Sequence, residues 1–205
     1  MGKVVVLMGK SACGKDTIFN MLKEEKALSL HRIVPYTTRP MRDGEKDGRE
    51  YFFVPAEQFE EMRGQGKVIE SRTYQTIHGP WTYFTAMDGQ ICLEKHSCLL
   101  IATLEAYNSF VRYFGRDAVL PVLITLEDGE RLQRALDRER RQEHPGYEEL
   151  CRRFLADSRD FDEENIARAG IVKSFENRDL IQCEQEICEY IQEALSREVS
   201  EKKKQ

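Results

Sequence analysis

The 205-residue sequence has no C-x-x-C pair, no internal repeat and no apolar run longer than five residues. Cys13, Cys92, Cys98, Cys151, Cys183 and Cys188 are therefore expected as free thiols, in a chain much longer than typical disulfide scaffolds. A five-residue run falls far short of the roughly 20 residues of a membrane span. The start also lacks the charged region, long apolar stretch and cleavage site of a signal peptide, so a cytoplasmic protein with no membrane partner is expected. An excess of positive charge is missing too. With 31 basic and 36 acidic residues the net charge is -5, which offers no general attraction to nucleic acid, and no nucleic-acid partner is expected. What remains, 40% hydrophobic residues over this length, suffices for one domain with a sizeable core.

The apolar pattern alternates between two periods. Val4–Met8 is a short continuous apolar run, as expected of a strand buried on both faces. Residues 15–26 then carry Ile18, Met21 and Leu22 at helical spacing. Further buried strands are predicted at Arg32–Pro35, Cys98–Thr103, Val119–Thr125 and Gly170–Ser174, with helices near 104–114, 127–140 and 178–195. Strands alternating with helices imply an α/β fold: a mostly parallel sheet with helices on both faces. Two stretches interrupt this core (1–35, 85–137 and 150–205). Residues 36–84 read as an inserted subdomain, with short strands at Tyr51–Val54, Val68–Thr73 and Trp81–Phe84 around a helix at Pro55–Arg63. Residues 138–149, dense in charge around a Pro-Gly pair, read as a mobile flap between two helices. The terminal "EKKKQ" reads as a solvated or disordered tail.

Gly9-Lys10-Ser11-Ala12-Cys13-Gly14-Lys15 fits G-x-x-x-x-G-K between a buried strand and a helix. Glycines let the backbone wrap an anion, successive amides point inward, and Lys15 supplies a cation for the β and γ phosphates. The segment Gly9–Thr17 is thus a candidate site for ATP or another nucleoside triphosphate. Such loops usually follow the lysine with a hydroxyl that holds Mg²⁺, but here stand Asp16 and Thr17. Both are candidate metal ligands. Asp16 reads equally well as an acidic residue favoured by the dipole of a helix's first turn. Cys13, in a loop of amides, is either a thiol of lowered pKa and raised reactivity or the occupant of a variable loop position.

Residues 36–54, "YTTRPMRDGEKDGREYFFV", form a second oxyanion grip. Guanidinium forks at Arg39 and Arg42 suit a terminal phosphate, and the Tyr51 hydroxyl can donate a further hydrogen bond. One grip for a donor and one for an acceptor phosphate point to phosphoryl transfer between two phosphorylated molecules.

At these residues the chain resembles the guanylate kinases. Their acceptor segment, T-T-R-x-x-R-x-G-E-x-x-G-x-x-Y-x-F, is matched by Thr37, Thr38, Arg39, Arg42, Gly44, Glu45, Gly48, Tyr51 and Phe53 without a gap. The resemblance runs from residue 9 to about residue 175. It implies a P-loop core, an acceptor-binding subdomain at 36–84, a lid at 138–149, and transfer of the γ-phosphate of ATP to GMP with Mg²⁺. Carried over position by position, Thr38, Arg39, Arg42 and Tyr51 hold the acceptor phosphate, Glu70 accepts hydrogen bonds from guanine, and His78 falls at a phosphate-binding tyrosine. Arg138, Arg141 and Arg153 correspond to lid arginines that act with Lys15 on the transferring phosphoryl. Pro35, Ile101 and Thr103 depart from the pattern, standing at a serine and two aspartates, one of which reads guanine. Thr103 keeps a hydroxyl for base or ribose, and Glu105 is a candidate replacement carboxylate. Two alternatives stay open: a kinase of another phosphorylated acceptor such as ribose 1,5-bisphosphate, whose enzyme shares G-K-D after the loop, and a non-catalytic guanylate-kinase-like binding module.

Overall fold

The computed structural model describes residues 1–76 and 79–202. Along the core run β1 (Val4–Met8), α1 (Lys15–Glu24), β2 (His31–Arg32) and, after an insertion, β7 (Cys98–Ile101), α3 (Leu104–Phe114) and β8 (Val119–Thr125). Then follow α4 (Asp128–Glu139), α5 (Tyr147–Asp160), α6 (Glu163–Arg168), β9 (Ser174–Glu176) and α7 (Leu180–Lys202). The core strands form one parallel sheet in the order β2-β7-β1-β8-β9. β1 lies at its centre with all five residues buried, so its side chains serve both faces. Val4, Val6 and Met8 pack with Tyr107 and Phe110 of α3, while Val5 and Leu7 pack with Ile18 and Leu22 of α1 and Ile187 and Ile191 of α7. Each such aliphatic side chain contributes about 1.5–3 kcal/mol on burial. These two layers fix where β1 ends, and therefore where the loop after it sits.

The insertion is a four-stranded mixed sheet, β4 (Phe52–Phe53), β3 (Tyr36–Thr37), β6 (Gly79–Ala86) and β5 (Val68–Thr76), with α2 (Ala56–Gly64) packed against it. Tyr36, Phe59, Phe84 and Ala86 form its own small core. The long β5–β6 hairpin carries a register shift between Val68 and Glu70. Bulges of this kind re-aim side chains, and Glu70 is one of those buried here.

Several boundaries differ from the sequence reading. The second strand is His31–Arg32, not Arg32–Pro35, because the Val34 amide donates to the Gln90 side chain at 2.9 Å rather than to the neighbouring strand. The strand at Cys98 stops at Ile101, since Thr103 already caps α3. The last core strand is Ser174–Glu176 rather than Gly170–Ser174. Gly170 ends the α6 turn at φ 67°, and Val172 is wholly exposed, so that apolar pair does not enter the sheet. Helices α5 and α6 occupy 147–168, which the sequence pattern leaves without regular elements beyond the lid. α7 runs to Lys202, so the first two residues of the terminal basic stretch are helical and the last three lie outside the described residues. All six cysteines are free, and among the described residues no helix is long and apolar enough to cross a membrane.

Candidate active site

The loop after β1 has the backbone of an anion cradle. Gly9 sits at φ 149°, where a Cβ would lie 2.2 Å from the Ile124 carbonyl oxygen. Gly14 sits at φ 95°, where a Cβ would lie 2.2 Å from the Asn177 amide nitrogen. Neither position admits another residue without moving backbone or a buried partner. Between them Ala12 takes a left-handed φ of 64°, which turns successive amides the same way. Gly14 precedes α1 without a capping side chain, so the helix's first-turn amides face the loop mouth uncapped. Lys15 Nζ donates to the Lys10 carbonyl at 2.9 Å, folding its ammonium across the loop.

The loop is braced from elements distant in sequence. Asn177, 2% exposed after β9, donates from Nδ2 to the Cys13 carbonyl at 2.8 Å. Lys10 pairs with Asp128 of α4 at 3.3 Å. The Ser11 amide donates to Asp157 of α5 at 2.6 Å. Arg131, 1% exposed, ties these together: it donates to Asp128 at 3.1 Å and the Ser11 carbonyl at 3.2 Å, pairs with Asp157 at 3.5 Å, and lies over the Phe154 ring. Cys13 is not the reactive thiol that its loop position suggests. Its side chain is fully buried and burial pushes its thiol up, with Lys15 only partly offsetting this.

Three cavities touch the loop segment; one lies against Gly9 and Lys10 beside β8, and the other two carry the candidate site residues. The first, about 350 Å³, lies between core and inserted sheet and is lined by Asp16, Pro35, Tyr51, Glu70, Arg72 and Tyr83 among others. Glu70 is buried, accepts from Thr85 Oγ1 at 2.9 Å and pairs with Arg72 at 3.3 Å. Burial pushes its carboxyl up, against the pull of Arg72. Tyr51 lines the same cavity, with the Arg39 guanidinium 5.3 Å over its ring. Arg39 is 4% exposed and its fork is already closed on the Glu45 carboxylate, with Nη1 to Oε2 at 2.7 Å, leaving Nε as a buried donor without a partner. That fork holds Glu45 well down, to about 2. Arg42 is exposed, its own amide donating to Glu45. Thr38 is spent on the hairpin, exchanging hydrogen bonds with the Thr82 backbone, and does not line the cavity. Thr103 accepts from the Ala106 amide and, at 3.4 Å, from Arg72, so its hydroxyl caps a helix beside the cavity. Glu105 is exposed on α3 and takes no part. His78 lies outside the described residues.

The second cavity, about 290 Å³, lies between α4 and α5 and reaches Ser11 of the loop. Arg138 and Arg153 both line it, with Arg131 at its base. Arg141 does not: it is exposed on the turn after α4. Arg153 pairs with Glu149 at 3.0 Å, and Glu149, gripped first by Arg152, is held down to about 2.

Asp16 and Thr17 are both exposed in the first turn of α1, but only Asp16 lines the first cavity. Its carboxylate has no ion pair among the described residues, and no group of three ligating side chains surrounds it. A single carboxylate beside a phosphate loop suits Mg²⁺, which keeps several waters and takes its other ligands from the phosphates. Thr17 does not face the same space.

Several site residues escape the sequence reading, Asn177 and Asp128 among them. Tyr83 and Arg72 were legible in principle, since period-two alternation places Arg72 with Glu70 and Tyr83 with Thr85 on one face. Arg131 and Asp157 were not, because only packing of α4 and α5 brings them to the loop.

Comparison with known proteins gives one consistent result. A family model described as guanylate kinase matches residues 1–100. Curated guanylate kinases from Anaplasma phagocytophilum (40% identical over 70 residues), Mycobacterium tuberculosis (42% over 79) and Rhodopseudomonas palustris (46% over 69) match 34–38% of this chain. Those matches span 31–36% of the relatives' own length, about a third. Over a longer span, the crystal structure of the A. phagocytophilum guanylate kinase superimposes with a TM-score of 0.63 at 21% identity, covering 93% of this chain and 85% of that one, which establishes a shared fold.

Proposed function

We propose that this chain, whose residues 1–100 match the guanylate kinase family model, is a guanylate kinase that transfers the γ-phosphate of ATP to GMP, giving ADP and GDP. The observation that carries this reading is the placement of one phosphate loop between two cavities. Asp16, just beyond its lysine, lines the cavity of the inserted sheet, and Ser11 lines the cavity of α4 and α5. A donor and an acceptor bound in the two cavities would thus lie on either side of a single loop.

In this account Lys15 and the loop amides hold the donor phosphates. Arg39, Arg42, Tyr51 and Tyr83 hold the acceptor phosphate, and Arg138 and Arg153 neutralise charge on the phosphoryl in flight. Catalysis comes from alignment and charge stabilisation, without a covalent intermediate. Asp16 would hold Mg²⁺, which when bound neutralises the donor's phosphate oxygens. The 36–84 subdomain and the 138–149 lid close on the two substrates and exclude water.

The base end of the first cavity favours a nucleotide over ribose 1,5-bisphosphate. Its lining includes the buried Glu70 carboxylate, which can accept from the N–H donors of a base but repels a second phosphate, an effect that its partner Arg72 only partly offsets. A non-catalytic module has no use for the intact loop and arginine-lined second cavity. Lys15→Ala tests the reading: the variant folds with the parental circular dichroism but loses transfer from Mg-ATP by about 10³-fold or more. Transfer at the parental rate contradicts it.

A further inference from the structure

The wall of the first cavity raises a chemical problem that GMP binding must solve. Guanine presents, side by side, one acceptor (O6) and two donors (N1–H and the 2-amino group). Glu70 can take the donors, since its two oxygens offer about four lone pairs and only Thr85 and Arg72 occupy them. O6 needs a donor close to Glu70. Among the other side chains lining the cavity, Pro35, Leu100, Ile101 and Ala102 have no donor, and Asn20 of α1 has one but makes no hydrogen bond to Glu70 or Arg72 among the described residues. Arg32 lies over the Phe19 ring, its guanidinium 5.8 Å from the centroid.

We infer that Arg72 is the O6-reading residue, and that Arg72 and Glu70 together read the base edge of the acceptor. The inference rests on GMP being the acceptor. Arg72 is two residues from Glu70 on β5, so both side chains leave the same face of the strand. Across the hairpin they stand on successive same-face rungs, Glu70 opposite Thr85 and Arg72 opposite Tyr83, and all four line the cavity. The guanidinium is fixed at two points: Nε to Glu70 at 3.3 Å and Nη1 to Thr103 Oγ1 at 3.4 Å. Nη2 has no hydrogen-bond partner among the described residues. A donor preset beside a carboxylate matches the acceptor-beside-donor order of guanine. It opposes adenine, whose 6-amino group would face the guanidinium donor to donor. Arg72 thereby does for O6 what the apolar Pro35 does not, and Thr103 becomes the residue that positions Arg72.

Steady-state kinetics of the full chain with Mg-ATP and GMP, IMP or AMP tests this, with circular dichroism and thermal melts as folding controls. IMP keeps O6 and N1–H but lacks the 2-amino group. Arg72→Met is expected to lower kcat/KM for GMP and IMP by the same factor, roughly 10- to 100-fold, the worth of one good guanidinium–guanine contact, while AMP is unchanged or improved. Glu70→Gln is expected to hurt GMP more than IMP. Arg72→Lys, which keeps a donor without the fork, is expected to recover part of the GMP preference, and it carries the same comparison if the methionine variant does not fold. An active wild type with Arg72→Met unchanged on GMP, or weakened equally on GMP and AMP, overturns the role of Arg72 alone. A wild type inactive on GMP and IMP overturns the acceptor assignment and this inference with it.

Discussion

Asp157 on α5 accepts a 2.6 Å hydrogen bond from the backbone amide of Ser11 in the phosphate loop, 146 residues earlier. A carboxylate thus sits on a loop built to receive anions, and an incoming triphosphate meets its charge. Asp157→Ala removes that competitor and frees Arg131 from one of its two acidic partners. ATP is expected to bind several-fold tighter, on the order of 1 kcal/mol for a partly exposed charge, with some loss of melting temperature. Isothermal titration of both forms checks it; weaker ATP binding in a folded variant would mean that Asp157 supports the loop rather than competing for it.

Gly14 and Asn177 are coupled through one clash. Asn177→Ala leaves the Cys13 carbonyl without its buried donor, at a cost of about 1–3 kcal/mol. Gly14→Ala drives a Cβ to 2.2 Å from the Asn177 amide and also strains φ. The double variant is expected to be more stable than the sum of the single losses, because the second change removes the atom that the first one strikes. Strictly additive melting data would contradict this.

Glu70 links acceptor binding to pH. Burial raises its folded pKa above the ordinary 4.5. The ionised form that accepts from guanine therefore appears only above that value, and kcat/KM for GMP is expected to rise with pH along an acid limb whose midpoint exceeds 4.5. The sign for stability is opposite. The folded state favours the protonated acid, so this stability is present below 4.5 and lost as pH rises through the folded pKa. Glu70→Gln is then expected to melt higher than the parent at pH 7, to match it near pH 4, and to show no GMP acid limb.

The three lid arginines are expected to separate. Arg138 and Arg153 line the cavity that reaches the loop, whereas Arg141 does not. Alanine at either of the first two should lower kcat by about 10³-fold or more, with Arg141→Ala near the parental rate. Equal losses at all three would require Arg141 to swing inward on closure.

The motif-bearing parts of the site were legible because their geometry is local. Gly9, Gly14 and Lys15 need only the strand before them and the helix after them, and Arg39, Glu45 and Tyr51 fall within the one loop between β3 and β4. The braces were not legible. Arg131, Asp157 and Asn177 reach the loop across separations of 120, 146 and 164 residues, set by how α4, α5 and β9 pack. The fold followed the same division: β1 declares itself by a continuous apolar run and β8 by one broken only at Pro121, whereas Ile171 and Val172 imitate a strand although only Ile171 is buried. His78, read as a phosphate ligand by position, lies outside the described residues, and Tyr83 on β6 lines the cavity beside Tyr51.

The most direct measurement is an acceptor screen with Mg-ATP across GMP, dGMP, AMP, CMP, UMP and ribose 1,5-bisphosphate. kcat/KM for GMP is expected to lie orders of magnitude above that for AMP, the pyrimidine nucleotides and the bisphosphate, despite Pro35 and Thr103 near the base-reading side chains. Preference for ribose 1,5-bisphosphate, or transfer to none of the six by a protein that still binds ATP, would contradict it.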